Sequence, residues 1–150
     1  MTVWYLDSSA WVKRYYLEAG SSRVEALFAS GDQLICSSLG LVEVTAALSR
    51  KSRSGELSQD ALRTKLSELN ADWQLFAKVD VSEKIIGRAA ALAEHTGLRG
   101  ADAVHLASAE LAAMSLTGST DRVVLVTSDV ELPRAAVNLG LEVLDPQAGP

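Results

Sequence analysis

Hydrophobic positions in this chain recur at two different spacings, and the switches between them mark out a regular succession of elements. Val3–Leu6 in "TVWYLDSSAW" is a short apolar run that ends on a carboxylate, and it predicts a buried strand over Val3–Asp7. "SSAWVKRYYLEAG" predicts a helix with Ser8 or Ser9 as N-cap and Gly20 as its stop, Trp11 and Tyr15 sharing a core-directed face at i, i+4. "SSRVEALFASG" predicts a second helix, "QLICSS" a second strand, and "LGLVEVTAALSRKSRSG" a helix built on Leu41, Val44 and Leu48. "SQDALRTKLSELNADW" is amphipathic, with Leu62, Leu66 and Leu69 on one face; "FAKVDV" reads as a strand, and "SEKIIGRAAALAEHTG" as a helix opened by Ser82 and closed by Gly97. The alanine-rich "GADAVHLASAELAAMS" predicts another helix. "RVVLVTSD", apolar and β-branched, is the clearest strand, and "VELPRAAVNLG" and "LEVLD" supply a last helix and strand. Strands alternating with helices imply an α/β fold with a central, mostly parallel sheet flanked by helices. No repeat, linker or low-complexity segment interrupts the pattern, so residues 1–150 are expected to form a single domain.

Composition sharpens this picture in two ways. With 150 residues and 48% hydrophobic content, one core closes without disulfides, and the lone Cys36, inside the apolar "QLICSS", is expected as core filler. A reducing, cytoplasmic setting is the natural expectation, since Val3–Leu6 has neither a basic leader nor the length of an export segment. The net charge of -5 argues against broad electrostatic attraction to nucleic acid or anionic membrane. Any nucleic-acid contact must then be local or carried by metal ions.

The acids are placed where chemistry is expected. Open α/β sheets bind ligands at the carboxyl ends of their strands, and Asp7 and Asp129 close two of the best strands. Each has an ordinary alternative, capping the helix that follows. Glu43 lies in the nearly uncharged "LGLVEVTAAL", with Leu39, Ala46 and Ala47 as helical neighbours and no Lys or Arg one turn away; its alternative is a face that meets solvent. Asp102 falls in the first turn of the alanine-rich helix, where the dipole alone favours an anion. Carboxylates gathered at one sheet edge repel each other, and a hard divalent cation such as Mg²⁺, with oxygen ligands, resolves that.

"YLDSSAWVKRY", "SSLGLVEVTAAL", "RGADAVHLASA" and "VLVTSDVELPRAAVNLGLEV" resemble, in order and spacing, the four acidic motifs of the PIN-domain ribonucleases, and especially the VapC-type toxins of type II toxin–antitoxin pairs. The resemblance implies a three-layer PIN-like fold across nearly the whole chain, with Asp7, Glu43, Asp102 and Asp129 forming the catalytic, metal-holding pocket. Thr127, and Ser8 or Ser9, would be hydrogen-bonding groups behind those acids. It also implies Mg²⁺ or Mn²⁺ as cofactor and hydrolysis of RNA to 5′-phosphate and 3′-hydroxyl ends. The implied partners are a second copy of the chain and a VapB-type antitoxin whose carboxyl-terminal segment blocks the pocket with a basic side chain. Trp11, Tyr15, Leu27 and Phe28 are candidates for the antitoxin groove, although each alone reads more simply as core. His105 matches a histidine often seen in that helix; one turn beyond Asp102, it is expected to pack, because the metal chemistry needs no imidazole. His95, beside Gly97, is expected as a dipole partner at a helix end.

Local cations would hold the RNA. Arg50, Lys51 and Arg53 cluster in "SRKSRSG", Lys13 and Arg14 follow Asp7, and Arg99 precedes Asp102. The alternative for the first cluster is a solvated helix terminus. Competing functions are a housekeeping RNA-processing nuclease of the same fold and a catalytically silent PIN-fold interaction module, the latter disfavoured by an intact acidic set. A phosphoaspartate-type phosphoryl-transfer domain would leave the helix-borne Glu43 and Asp102 without a role.

Overall fold

The computed structural model describes residues 1–149. Strands β1 (Thr2–Leu6), β2 (Gln33–Ser37), β3 (Ala77–Val79), β4 (Arg122–Val126) and β5 (Glu142–Leu144) form one sheet in the order β3-β2-β1-β4-β5. Every adjacent pair is parallel, with Tyr5 in register with Ile35 on one side and Leu125 on the other. The helices are α1 (Ser8–Trp11), α2 (Ser21–Ala29), α3 (Ser38–Arg53), α4 (Gln59–Trp73), α5 (Glu83–Thr96), α6 (Gly100–Ser115) and α7 (Leu132–Asn138). None is long and apolar enough to cross a membrane.

The period of two in a strand sends alternate side chains to opposite faces, and β1 uses both. Val3 and Tyr5 join Ile85, Leu92, Leu106 and Leu132 in a core against α5, α6 and α7. Leu6 turns the other way and joins Trp11, Val24, Leu48, Leu69 and Trp73 against α1 to α4. The sheet is thus the middle of three layers. The chain starts on the central strand and the strand order reverses there, so the carboxyl ends of β1, β2 and β4 open side by side, as in other sheets with a topological switch point.

The predicted helix over 8–20 is broken. Only Ser8–Trp11 is α-helical; a 3₁₀ turn follows over Val12–Arg14, and the remainder is irregular. Tertiary bonds outweigh helix propensity here. Trp11 stacks on Phe76 with centroids 4.6 Å apart and donates its indole N–H to the Tyr15 hydroxyl at 3.0 Å, while Tyr15 donates to Asp72 at 2.7 Å. Asp7, rather than Ser8 or Ser9, is the N-cap, and Gly20 does not stop this helix but precedes α2 at φ +93°. A Cβ on Gly20 would also lie 3.0 Å from the Pro146 carbonyl. Trp11, Tyr15 and Leu27 are buried and Phe28 packs beside them, so their place is the core and not an open groove.

Candidate functional site

Asp7 leaves β1 in extended backbone and immediately caps α1. Its Oδ1 accepts the Ala10 N–H at 3.0 Å and the Ser9 hydroxyl at 2.7 Å, and its Oδ2 accepts the Thr127 hydroxyl at 2.5 Å. Thr127, just past β4, also accepts the Asp129 N–H at 3.0 Å, and Ser9 Oγ accepts the Ser128 N–H at 2.9 Å. The ends of β1 and β4 are thereby stitched together by two hydroxyls. Asp129 Oδ2 accepts the N–H of Leu132, the first residue of α7, at 2.9 Å. The capping alternative is therefore realised at both aspartates. It leaves Asp129 Oδ1 without a protein hydrogen bond among the described residues.

The other two acids come from helices on opposite sides of the sheet. Glu43 lies on α3 and Asp102 in the first turn of α6. Glu43 Oε1 accepts from His105 Nε2 at 2.5 Å; its Oε2, and both oxygens of Asp102, have no hydrogen-bond partner among the described residues. Burial raises the pKa of Asp102, and Asp129, Asp7 and Glu43 raise it further. Burial also raises the pKa of Asp7, against the hydrogen bonds from Thr127, Ser9 and Ala10. One half-buried carboxylate thus lies within electrostatic reach of the other three.

Whether this set suits a divalent cation turns on its donors. Among the described residues no three His, Cys, Asp or Glu side chains already converge as a ready-made metal cluster. The oxygens without partners on Asp102, Asp129 and Glu43 nevertheless suit Mg²⁺, which binds through one or two carboxylates and retains waters. The Ser128 hydroxyl, between Thr127 and Asp129, is buried without a hydrogen-bond partner among the described residues and is the kind of atom an ordered water satisfies. The residues fit.

Of the two serines the sequence offered behind Asp7, the structure selects one, and it adds a tyrosine that sequence reading missed. Ser9, not Ser8, holds Asp7 and Ser128; Ser8 instead lines a cleft of about 360 Å³ shared with Glu43 and Arg50. The signal for Ser9 was the N-cap geometry of Asp7, whose carboxylate reaches residues two and three positions on. Tyr5 was concealed as one more apolar strand position, yet its hydroxyl lies 2.8 Å from His105 Nδ1. His105 is buried as expected, but both of its nitrogens are engaged. Cys36 is core filler, and burial raises its thiol pKa well above the ordinary value.

The expected RNA contacts divide. Lys13 is buried and bonded to Glu18 at 3.0 Å, and Arg14, partly exposed, is paired with Asp72 at 3.4 Å and with Glu25. Lys51 lies 3.8 Å from Glu56 and over the ring of Tyr16. Arg50 and Arg99 are exposed and have no ion-pair partner among the described residues.

Comparison with known proteins gives the family and the fold. Residues 4–138 match the model of the PIN domain. Two ribonucleases of Mycobacterium tuberculosis, VapC45 and VapC49, are each 38% identical to the chain over 113 residues, covering 73% of it and 76% of the relative. FitAcB from Neisseria gonorrhoeae has a similar fold, with TM-score 0.68 at 17% identity over 97% of this chain and 98% of that one. A toxin–antitoxin complex from Klebsiella pneumoniae gives TM-score 0.65 at 19% identity, over 95% and 96% of the two chains. The chain belongs to the PIN-domain family and, within it, to the VapC ribonucleases.

Proposed function

We propose that this protein is a metal-dependent endoribonuclease that hydrolyses RNA phosphodiester bonds at Asp7, Glu43, Asp102 and Asp129, and that it is the toxin of a toxin–antitoxin pair. The observation that carries the reading is Asp102, which has no hydrogen-bond partner among the described residues and lies among three carboxylates that raise its pKa. Repulsion of that kind is relieved by a cation. Mg²⁺ or Mn²⁺ would be held by Asp102, Asp129, Glu43 and Asp7, and when bound it activates water and offsets charge on the phosphate. The chain's own residues do the rest. Thr127 and Ser9 hold Asp7 and the β4 turn in place, and Arg50 and Arg99 offer local cations to phosphates flanking the cut.

The toxin reading is supported by the VapC name of the relatives and by the toxin–antitoxin complexes among the neighbours, including VapBC2 from Rickettsia felis bound to DNA of its promoter. On this reading the protein acts on cytoplasmic RNA as a homodimer. A VapB-type antitoxin silences it by bringing a basic side chain to the acids.

The test is cleavage of pooled cellular RNA by the purified chain with Mg²⁺, Mn²⁺ or EDTA, with Asp102→Asn alongside. Cuts that need the ion and vanish in the variant are expected. Cutting that survives in EDTA, or in the variant at the wild-type rate, overturns the assignment.

A further inference from the structure

We infer that His105 is a positioning residue for Glu43 and that Tyr5 fixes its tautomer, so that a side chain buried in the central strand sets the direction of one carboxylate at the proposed metal site. The inference rests on the nuclease reading and adds to it a group outside the acidic set.

His105 follows Asp102 by one turn of α6 and is 1% exposed. Its Nε2 lies 2.5 Å from Glu43 Oε1 and its Nδ1 lies 2.8 Å from the Tyr5 hydroxyl. Facing a carboxylate oxygen, Nε2 is the donor of this pair. Tyr5 Oη already accepts the Ser37 N–H at 3.2 Å, which leaves its own proton to donate to Nδ1. A ring that donates from Nε2 and accepts at Nδ1 then satisfies every group in the network. The direction of donation runs from Ser37 through Tyr5 and His105 to Glu43.

The network starts where β2 passes into α3 and ends on α3. Ser37 is the N-cap of α3, its Oγ accepting the Leu39 N–H, and Glu43 is on α3 itself. Between them the path crosses from β1 to α6 in the opposite layer. Glu43 is otherwise a long, partly exposed side chain, 27% accessible, with no other hydrogen-bond or ion-pair partner among the described residues. Holding Oε1 leaves Oε2 as the oxygen available to a ligand. A ring present for packing alone would need neither nitrogen engaged, and an apolar ring of similar size would strand the buried Tyr5 hydroxyl.

Two amide substitutions separate the roles. In His105→Gln the amide reaches the place of Nε2 and donates to Glu43; in His105→Asn it reaches the place of Nδ1 and meets only Tyr5. Mn²⁺ affinity of the free protein, read by electron spin resonance without RNA, is expected to stay within about threefold of wild type for Gln and to fall about 10–100-fold for Asn. RNA cleavage in parallel should lose kcat in His105→Asn with little change in KM. In a Glu43→Gln background the Asn substitution should have no further effect on Mn²⁺ affinity, because His105 acts through that carboxylate. Equal affinities for the Gln and Asn variants, or a full additional loss in the Glu43→Gln background, overturn the inference while leaving wild-type cleavage intact. A wild-type chain that neither binds Mn²⁺ nor cuts RNA overturns the nuclease reading beneath it.

Discussion

Asp102 and Asp7 both have raised pKa values, but their surroundings differ in a way that can be measured. Asp7 is fully enclosed and receives three hydrogen bonds, whereas Asp102 has none among the described residues and faces three like charges. A native pKa above the unfolded one lowers stability fully above the native value and not at all below the unfolded value. Asp102→Asn is therefore expected to raise Tm by about 1–3 °C at pH 7. That gain should fade as pH falls toward about 4, where the unfolded carboxyl takes up its proton. Scanning calorimetry across pH checks this, and added Mn²⁺ should reverse the ranking, since only the wild type keeps the full acid set. Asp7→Asn should gain less, because its amide nitrogen replaces the oxygen that accepts from Thr127. Thr127→Val removes that donor and also the acceptor for the Asp129 N–H; a loss of about 1–3 kcal/mol in denaturant melts and slower cleavage are expected together.

At the scale of elements, α3 carries Glu43 and its approach to the sheet is set by a glycine. A Cβ on Gly40 would lie 2.4 Å from the buried Cys36 Sγ and 3.5 Å from the Trp11 ring. Gly40→Ala is expected to destabilise by about 1–3 kcal/mol through overpacking. In a Cys36→Ala background most of that cost should vanish, since the clashing sulfur is gone, and a double-mutant cycle in denaturant reads the coupling. The same region shows what the sequence could and could not reveal. Hydrophobic period predicted α3, α4, α5 and α6 because their apolar faces meet a sheet at regular intervals, as at Val44 and Leu48. It failed over residues 8–20, where the Tyr15–Asp72 bond joins positions 57 residues apart and no local pattern encodes it. The four acids stood out as candidates because charge in an apolar setting is conspicuous. Tyr5 did not, since a tyrosine in a strand is ordinary until the chain closes on itself, and the choice between Ser8 and Ser9 waited on the turn that follows Asp7.

For the whole molecule, the question is how a chain of net charge -5 holds a polyanion. Ion pairing within the fold answers part of it. Lys13 and Arg14 are neutralised by Glu18, Asp72 and Glu25, while Arg50, in the cleft beside Glu43, and Arg99, three residues before Asp102, have no carboxylate partner among the described residues. Each phosphate neutralised on a single strand contributes about 0.7 to the slope of log affinity against log salt. Arg50→Gln and Arg99→Gln should therefore each flatten that slope by about 0.7 and weaken binding most at low salt, measured by RNA titration in an Asp102→Asn background that does not cut. Arg14→Gln should leave the slope unchanged, because its charge is already spent on Asp72 and Glu25, and should show itself instead as lost stability. Should Arg14→Gln flatten the slope as much as Arg50→Gln, the RNA would have to run over the α1–α2 surface, and the path beside Glu43 and Asp102 would be wrong.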